Sequence, residues 1–284
     1  MKGGERMKIT VLIENEGNGR LEHEHGLAFH ITYNRKQYLL DTGASDGFLQ
    51  NARELGVHIK NIDAAVLSHA HYDHSGGYKE FFGENKKAQV YLRAEAKREC
   101  YAKVWFVKKY IGIPEGVLKT YEHRFSYVEE DCQIDKGVWL IGHATQGLEE
   151  RGKRSKLYYL ADDHLVPDDF AHELSLVFDT EKGLVILNSC SHGGIDNIIN
   201  EVKDKFPGRD VQAVLGGFHL MGLRGAKTLG VTKENVQTLA ETLKYQNVEK
   251  IYTGHCTGKP AFKIMKEILG EKLYSLDTGT IIEI

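Results

Sequence analysis

Hydrophobic and polar positions alternate in short blocks along this chain. "MKITVLIEN", "GLAFHITYN" and "QYLLDTG" are runs rich in Val, Ile, Leu and Tyr, divided by Gly and Asn, and predict three antiparallel strands. "SDGFLQNARELG" opens on a capping Ser, spaces its apolar residues at helical intervals and stops on Gly, which predicts a helix. "IDAAVLS" follows as a buried strand. The second half repeats the alternation. "HELSLVFDT" and "GLVILNSCS" predict strands about a turn at Glu181-Lys182-Gly183. "GGIDNIINEVKDKF", "TKENVQTLAETLKY" and "KPAFKIMKEILG" predict helices, the last with Pro260 near its start, and "VQAVLGGFH", "VEKIYTGH" and "GTIIEI" predict strands.

Strands and helices alternate in both halves with no Pro/Gly/Ser-rich linker between them. That pattern predicts a single α/β domain over residues 1–284, two β-rich halves with helices outside. The segment 93–167 fits less well. It carries basic and aromatic residues ("KVWFVKKYIG") and a charged stretch ("GLEERGKRSK"), and is expected to be a cap or insertion over the site opening. A plain solvated surface is the alternative for its basic residues.

Composition narrows the function classes. Hydrophobic residues are 41% and charged residues 27%, as in an ordinary globular protein. A net charge of −3 gives no case for a binder driven by phosphate neutralisation, so no nucleic-acid partner is expected. No apolar run approaches the roughly 18–20 residues that span a bilayer. "MKGGERMKITVLIENEG" lacks the apolar stretch of a secretory leader, so a cytoplasmic protein with no membrane partner is expected. Cys100, Cys132, Cys190 and Cys256 lie far apart and never as C-x-x-C, which favours thiols over a disulfide framework.

The chemistry concentrates in "LSHAHYDHSGG", where His69, His71, Asp73 and His74 crowd into six residues after a buried strand. A lone histidine is usually a surface residue or a satisfied core residue; four ligand types at this spacing point to a metal. Imidazole and carboxylate suit zinc, manganese or iron, and no cysteine in the cluster selects a soft ion. Later strand ends each supply a further histidine: His172 in "FAHELSL", His192 in "NSCSHGG", His219 in "GGFHL" and His255 in "YTGHCTG". Loops at strand ends of α/β sheets gather into one cleft.

These motifs resemble the metallo-β-lactamase superfamily over most of the chain. "IENEG", "EHGLAF", "LLDTGAS", "NARELGV", "SHAHYDHSGG", "NSCSHGGIDN", "LGGFHL" and "GHCTG" resemble the branch that holds dihydropterin-ribofuranosylaminobenzene-phosphate synthase. The resemblance implies a four-layer αββα sandwich of two mixed β-sheets flanked by helices. It implies His69, His71 and His172 on one ion, Asp73, His74 and His255 on the other, and Asp41 of "LLDTG" supporting the metal loop from behind. Asp168, Asp169 and Glu173 compete with His172. The family's bridging aspartate is missing here; Cys190 and His192 stand at the fourth motif, and His192 is preferred. Because a neutral imidazole cannot bridge as a carboxylate does, one tight and one weak ion are an expected outcome.

The expected cofactor is therefore one or two divalent ions, zinc first, with manganese, iron or magnesium as the other choices. A bound divalent ion lowers the pKa of water from 15.7 to about 7 and polarises a carbonyl or phosphoryl oxygen. The expected reaction is hydrolysis by a metal-bound hydroxide on a small ester, phosphoester or lactone, with Asp73 orienting the hydroxide or taking its proton. His219, outside the common ligand set, is expected to contact substrate or protonate a leaving group. Two glycines after His192 open a helix, and "HCTGK" offers Thr257 at a helix start; both would suit a phosphate-bearing substrate, the first equally a tight turn. His25 and His143 carry weaker claims to the cleft. The rivals are a transferase coupling a dihydropterin diphosphate to a ribofuranosylaminobenzene phosphate, and a non-catalytic metal-dependent small-molecule sensor. Oligomeric state is left open.

Overall fold

The computed structural model describes residues 7–17, 19–223 and 225–284. Residues 1–6 of the stretch read above for a leader lie outside them. The chain divides into two compact units: Met1–Glu130 with Gly147–Leu174 and Asp277–Ile284, and Asp131–Gln146 with Ser175–Leu276.

The first unit is built on a seven-stranded mixed sheet. From edge to edge it runs Ile281–Glu283, Met7–Ile13, Ala28–Tyr33, Lys36–Leu40, Ala64–Val66, Gln89–Arg93 and Phe125–Val128. The hairpin-linked early strands pair antiparallel, as their Gly/Asn breaks predict, while Lys36–Leu40, Ala64–Val66, Gln89–Arg93 and Phe125–Val128 pair parallel. Helix Gly47–Glu54 buries Phe48, Leu49 and Ala52, the apolar positions of its predicted spacing. Phe48 joins a core with Tyr78, Phe81, Phe82 and Phe125, where Tyr78 stacks on Phe82 and meets Phe125 edge to face. Part of the 93–167 segment forms a separate four-stranded sheet ordered His164–Pro167, Leu157–Ala161, Cys100–Val104 and Val107–Tyr110.

The second unit carries the other seven-stranded mixed sheet. Its order is Leu273–Ser275, Lys250–Thr253, Val211–Gly216, Gly183–Leu187, Leu174–Thr180, Val138–Gly142 and Cys132–Asp135. The predicted turn at 181–183 joins the antiparallel pair Leu174–Thr180 and Gly183–Leu187. Helices Ile195–Lys205, Lys233–Tyr245 and Lys259–Leu269 bury Ile198, Ile199, Val202, Val236, Ala240, Leu243 and Met265 in this unit's core. Thr232 and Asn235 form a capping box at the start of Lys233–Tyr245. Mixed sheets flanked by helices are the α/β architecture expected from the sequence. Among the described residues no helix is long and apolar enough to cross a membrane.

Both sheets deliver their chemistry at the carboxyl ends of parallel strands. In the first unit Lys36–Leu40 and Ala64–Val66 run side by side, so Asp41 and the Leu67–His74 loop emerge together. In the second unit Gly183–Leu187, Val211–Gly216 and Lys250–Thr253 are parallel neighbours, and each ends just before a histidine-bearing loop.

Candidate metal centre

In the first unit the metal-type loop is held from behind by one carboxylate. Asp41 is wholly buried with a left-handed backbone at φ 62°. It accepts hydrogen bonds from the Ser68 N–H and the Ser68 hydroxyl, both at 2.7 Å, and pairs with His74 Nδ1 at 2.8 Å. A carboxylate on Nδ1 fixes the proton there and turns the Nε2 lone pair the other way. His74 Nε2 in turn lies 3.5 Å from Asp73 Oδ2. Ligand atoms about 2.0–2.1 Å from a tetrahedral ion sit roughly 3.3–3.4 Å apart, so this pair has the spacing of neighbours on one cation.

The other loop histidines crowd in. The ring centroids of His69 and His74 are 4.2 Å apart, and those of His69 and His71 are 4.6 Å apart. His69 Nδ1 pairs with Ser68 Oγ at 2.8 Å. Burial, reinforced by neighbouring imidazoles, presses His69 well below its ordinary pKa and His71 down to about 3, so both rings are neutral, the form that ligates a metal. His74 goes the other way: burial would lower it, but Asp73 and Asp41 carry it up to about 10. A cation held there replaces a proton. Gly76 and Gly77 let the short helix Tyr72–Ser75 end hard against the 44–45 turn. A Cβ on Gly76 would lie 2.1 Å from the Ala44 carbonyl oxygen, and one on Gly77 2.6 Å from that of Ser45.

His172 sits beside this loop with both ring nitrogens engaged. Nε2 is 3.0 Å from Asp168 Oδ2, and the Ala70 N–H points at Nδ1 from 3.2 Å. Burial alone would lower the ring's pKa, but Asp168 lifts it well above the ordinary imidazole value. The Ala70 N–H calls for a bare Nδ1 and Asp168 for a proton on Nε2. As at His74, an ion bound at Nε2 would take that proton's place. Of the competing carboxylates it is Asp168 that meets His172; Asp169 pairs with Arg98 at 2.7 Å. His71, Cys100, Asp168 and His172, all buried, bring ligand-type atoms within 4.8 Å of one another.

The second unit gathers His192, His219 and His255 with two thiols. Cys190, His192 and His219 bring ligand-type atoms within 4.8 Å, as do Cys190, His255 and Cys256. The Cys190 and Cys256 sulfurs are 3.4 Å apart. Burial would raise the Cys256 thiol, but Cys190, His255 and His219 bring it well below the ordinary thiol range. Both fourth-motif candidates, Cys190 and His192, therefore stand in ligand clusters.

His219 is positioned by backbone strapping. The loop Gly217–Leu220 is fastened to the His255–Thr257 turn through Phe218 N–H to Thr257 Oγ1 (2.9 Å), His219 N–H to Cys256 Sγ (3.3 Å) and Leu220 N–H to the Cys256 carbonyl (3.0 Å). A Cβ on Gly217 would lie 2.4 Å from Cys256 Sγ, so the close approach needs glycine. The half-buried His219 ring then lies 4.3 Å from that of His192.

Some residues play parts the sequence marked weakly or not at all. His25 Nε2 lies 3.3 Å from Asp73 Oδ2, and its other nitrogen meets the Asn15 amide at 3.3 Å. Cys100 and Cys256 join ligand clusters though nothing local distinguishes them, and Asp168, read above as a competitor of His172, joins one as well. The Thr257 hydroxyl, read above as phosphate-facing, is buried and bonded within the loop to Phe218 and Thr253. Gly193 serves packing, since a Cβ there would lie 2.4 Å from the His143 ring, which itself pairs with Glu201 at 3.2 Å.

Comparison with known proteins fits this geometry. Residues 24–206 match the model of the metallo-beta-lactamase superfamily. The chain is 31% identical, over 98% of its length and 97% of the relative's, to 7,8-dihydropterin-6-methyl-4-(beta-D-ribofuranosyl)-aminobenzene-5'-phosphate synthase of Methanocaldococcus jannaschii. It is 27% identical to an uncharacterized protein of the same organism, over 92% of this chain and 94% of that one. Among solved structures, Tm1679, described as a metal-dependent hydrolase of the beta-lactamase superfamily, superposes with a TM-score of 0.81 at 30% identity, covering 98% of this chain and 99% of that one. The metallo-beta-lactamase fold protein YhfI from Bacillus subtilis shares the fold at a TM-score of 0.58 and 10% identity, covering 99% of this chain and all of the other. With the H-x-H-x-D-H loop, its buried aspartate support and a family match across most of its length, the chain belongs to the metallo-β-lactamase superfamily.

Proposed function

We propose that this protein is a metal-dependent hydrolase of small ester, phosphoester or lactone substrates, acting with one or two divalent ions, zinc first. The family and the His/Cys/Asp clusters support metal-dependent hydrolysis in general terms. The observation that carries the reading is His74, clamped on Nδ1 by Asp41 with Nε2 at ligand spacing from Asp73. An ion bound there would acidify a water and polarise the substrate's carbonyl or phosphoryl oxygen.

In the first unit we assign His69, His71, Asp73 and His74 to metal binding, and in the second His192 and His255, with Cys190 at the fourth motif. His172 joins them where an ion takes the place of its Nε2 proton. Asp73 holds and passes a proton at its carboxylate, steadied by His25. His219, strapped in place by Cys256 and Thr257, donates a proton to the leaving group. Turnover of an ester, phosphoester and lactone panel should vanish on chelation and return with Zn²⁺ or Mn²⁺. Equal turnover before and after complete metal removal would defeat the proposal.

A second reading has its own support. The 31% identity to the M. jannaschii synthase runs through nearly the whole of both chains. The same residues would then serve transfer, with a pterin diphosphate as donor and a ribosylated aminobenzene phosphate as acceptor. Product analysis separates the two: a coupled C–N product marks transfer, and free hydroxymethylpterin marks hydrolysis.

A further inference from the structure

The four-stranded sheet of the first unit ends in a hairpin whose base is paired and packed and whose tip is exposed. Strands Cys100–Val104 and Val107–Tyr110 pair through Val104 and Val107, leaving Trp105 and Phe106 as a two-residue turn. Trp105 and Phe106 are 86% and 88% exposed, and Val104 and Val107 flank them at 40% and 60%. Trp105 adopts the left-handed region at φ 57°, a turn position where Gly or Asn is the ordinary occupant. A bulky indole kept in such a conformation argues that the side chain, not the turn, is what the position serves.

The charge on the hairpin itself has one sign. Lys103, Lys108 and Lys109 are exposed on the two strands, and exposed Lys156 lies beside them, its carbonyl accepting from the Lys103 N–H at 2.9 Å. Residues 101–110 contain no acid; Glu99, at the hairpin's base, is bound by the Tyr101 hydroxyl. The arm is braced rather than loose: Lys108 lies 3.8 Å over the Tyr101 ring, and the Tyr72 N–H bonds the Ile111 carbonyl at 2.8 Å just beyond the hairpin.

We propose that this hairpin is a contact for an anionic phospholipid surface. Val104, Trp105, Phe106 and Val107 enter the headgroup boundary, and the lysines rest on the lipid phosphates. An exposed aromatic tip flanked by lysines is the arrangement that anionic interfaces select, and it requires no membrane-spanning segment. Charge argues against a second copy of this chain as the occupant, because two such hairpins would bring two sets of lysines together.

The test uses the full chain with phosphatidylcholine vesicles, with and without phosphatidylglycerol. Trp139, packed on Phe206, is the second of the two tryptophans, so Trp139→Phe leaves Trp105 as the reporter. The expected result is co-sedimentation with anionic vesicles, a blue shift of Trp105 emission, quenching by brominated lipid, and loss of all three as salt rises. Neutralising Lys103, Lys108 and Lys109 to Gln should weaken binding by about fivefold per lysine, roughly a hundredfold in all. Trp105→Ser with Phe106→Ser, both at exposed positions, should abolish it. No sedimentation and no blue shift on anionic vesicles at low salt would overturn the proposal. So would undiminished binding by the tip variant, or tip-dependent self-association without vesicle binding.

Discussion

Asp41 Oδ2 lies 2.8 Å from His74 Nδ1, with both side chains wholly buried. One carboxylate thereby sets the tautomer of a proposed metal ligand and, through two bonds to Ser68, the start of the loop that carries the others.

Replacing that carboxylate should weaken metal retention more than it disturbs the backbone. Asn tolerates the left-handed conformation of position 41, so Asp41→Asn isolates the charge, whereas Asp41→Ala adds backbone strain. Metal affinity, measured by chelator competition, should fall about 10–100-fold in Asp41→Asn. Stability should fall by about 3–5 kcal/mol because a buried imidazole loses its partner. Unchanged metal affinity would mean that Asp41 serves the loop alone.

The metal-free protein should have a stability maximum near the ordinary histidine pKa. His71 is held at about 3 when folded against 6.5 when unfolded, so between those values the unfolded chain binds more protons and stability drops as the solution is acidified. His74 is held at about 10, so its contribution is complete below 6.5 and is lost as pH rises through about 10. Urea midpoints of chelated protein across this range should rise and then fall, and His71→Gln should flatten the acid limb. A profile level from acid to alkali would refute the assignment.

His172 and Asp168 should behave as a coupled buried pair. Each single alanine variant should cost about 3–5 kcal/mol by stranding its partner, and the double variant should cost less than their sum. The metal stoichiometry of His172→Ala should fall below that of the unaltered protein, because His172 and Asp168 stand in one cluster of ligand-type atoms. An unchanged stoichiometry would show that His172 serves the Asp168 pair alone.

What was legible in the sequence was what is local. The H-x-H-x-D-H run, the strand before it and the glycines after it lie between residues 64 and 77, and the family resemblance made Asp41 legible as well. The helices at 195–205, 233–245 and 259–269 followed from apolar spacing and end signals. Contacts made by tertiary return were not legible. Cys190 and Cys256 are 66 positions apart and meet only because their strands are close in one sheet. His25 reaches Asp73 because the chain before Ala28–Tyr33 folds back over the loop. Thr257 illustrates the opposite error: a hydroxyl at a helix start looks available to a ligand, yet it is spent on fastening the Gly217–Leu220 loop.

The most direct test is elemental mass spectrometry on protein purified without added metal, set beside His69→Ala with His71→Ala. The account predicts at least one divalent ion per chain in the unaltered protein, zinc first, and a clear loss in the double variant. Protein that holds no divalent ion, and takes up none on dialysis against zinc or manganese, would contradict it.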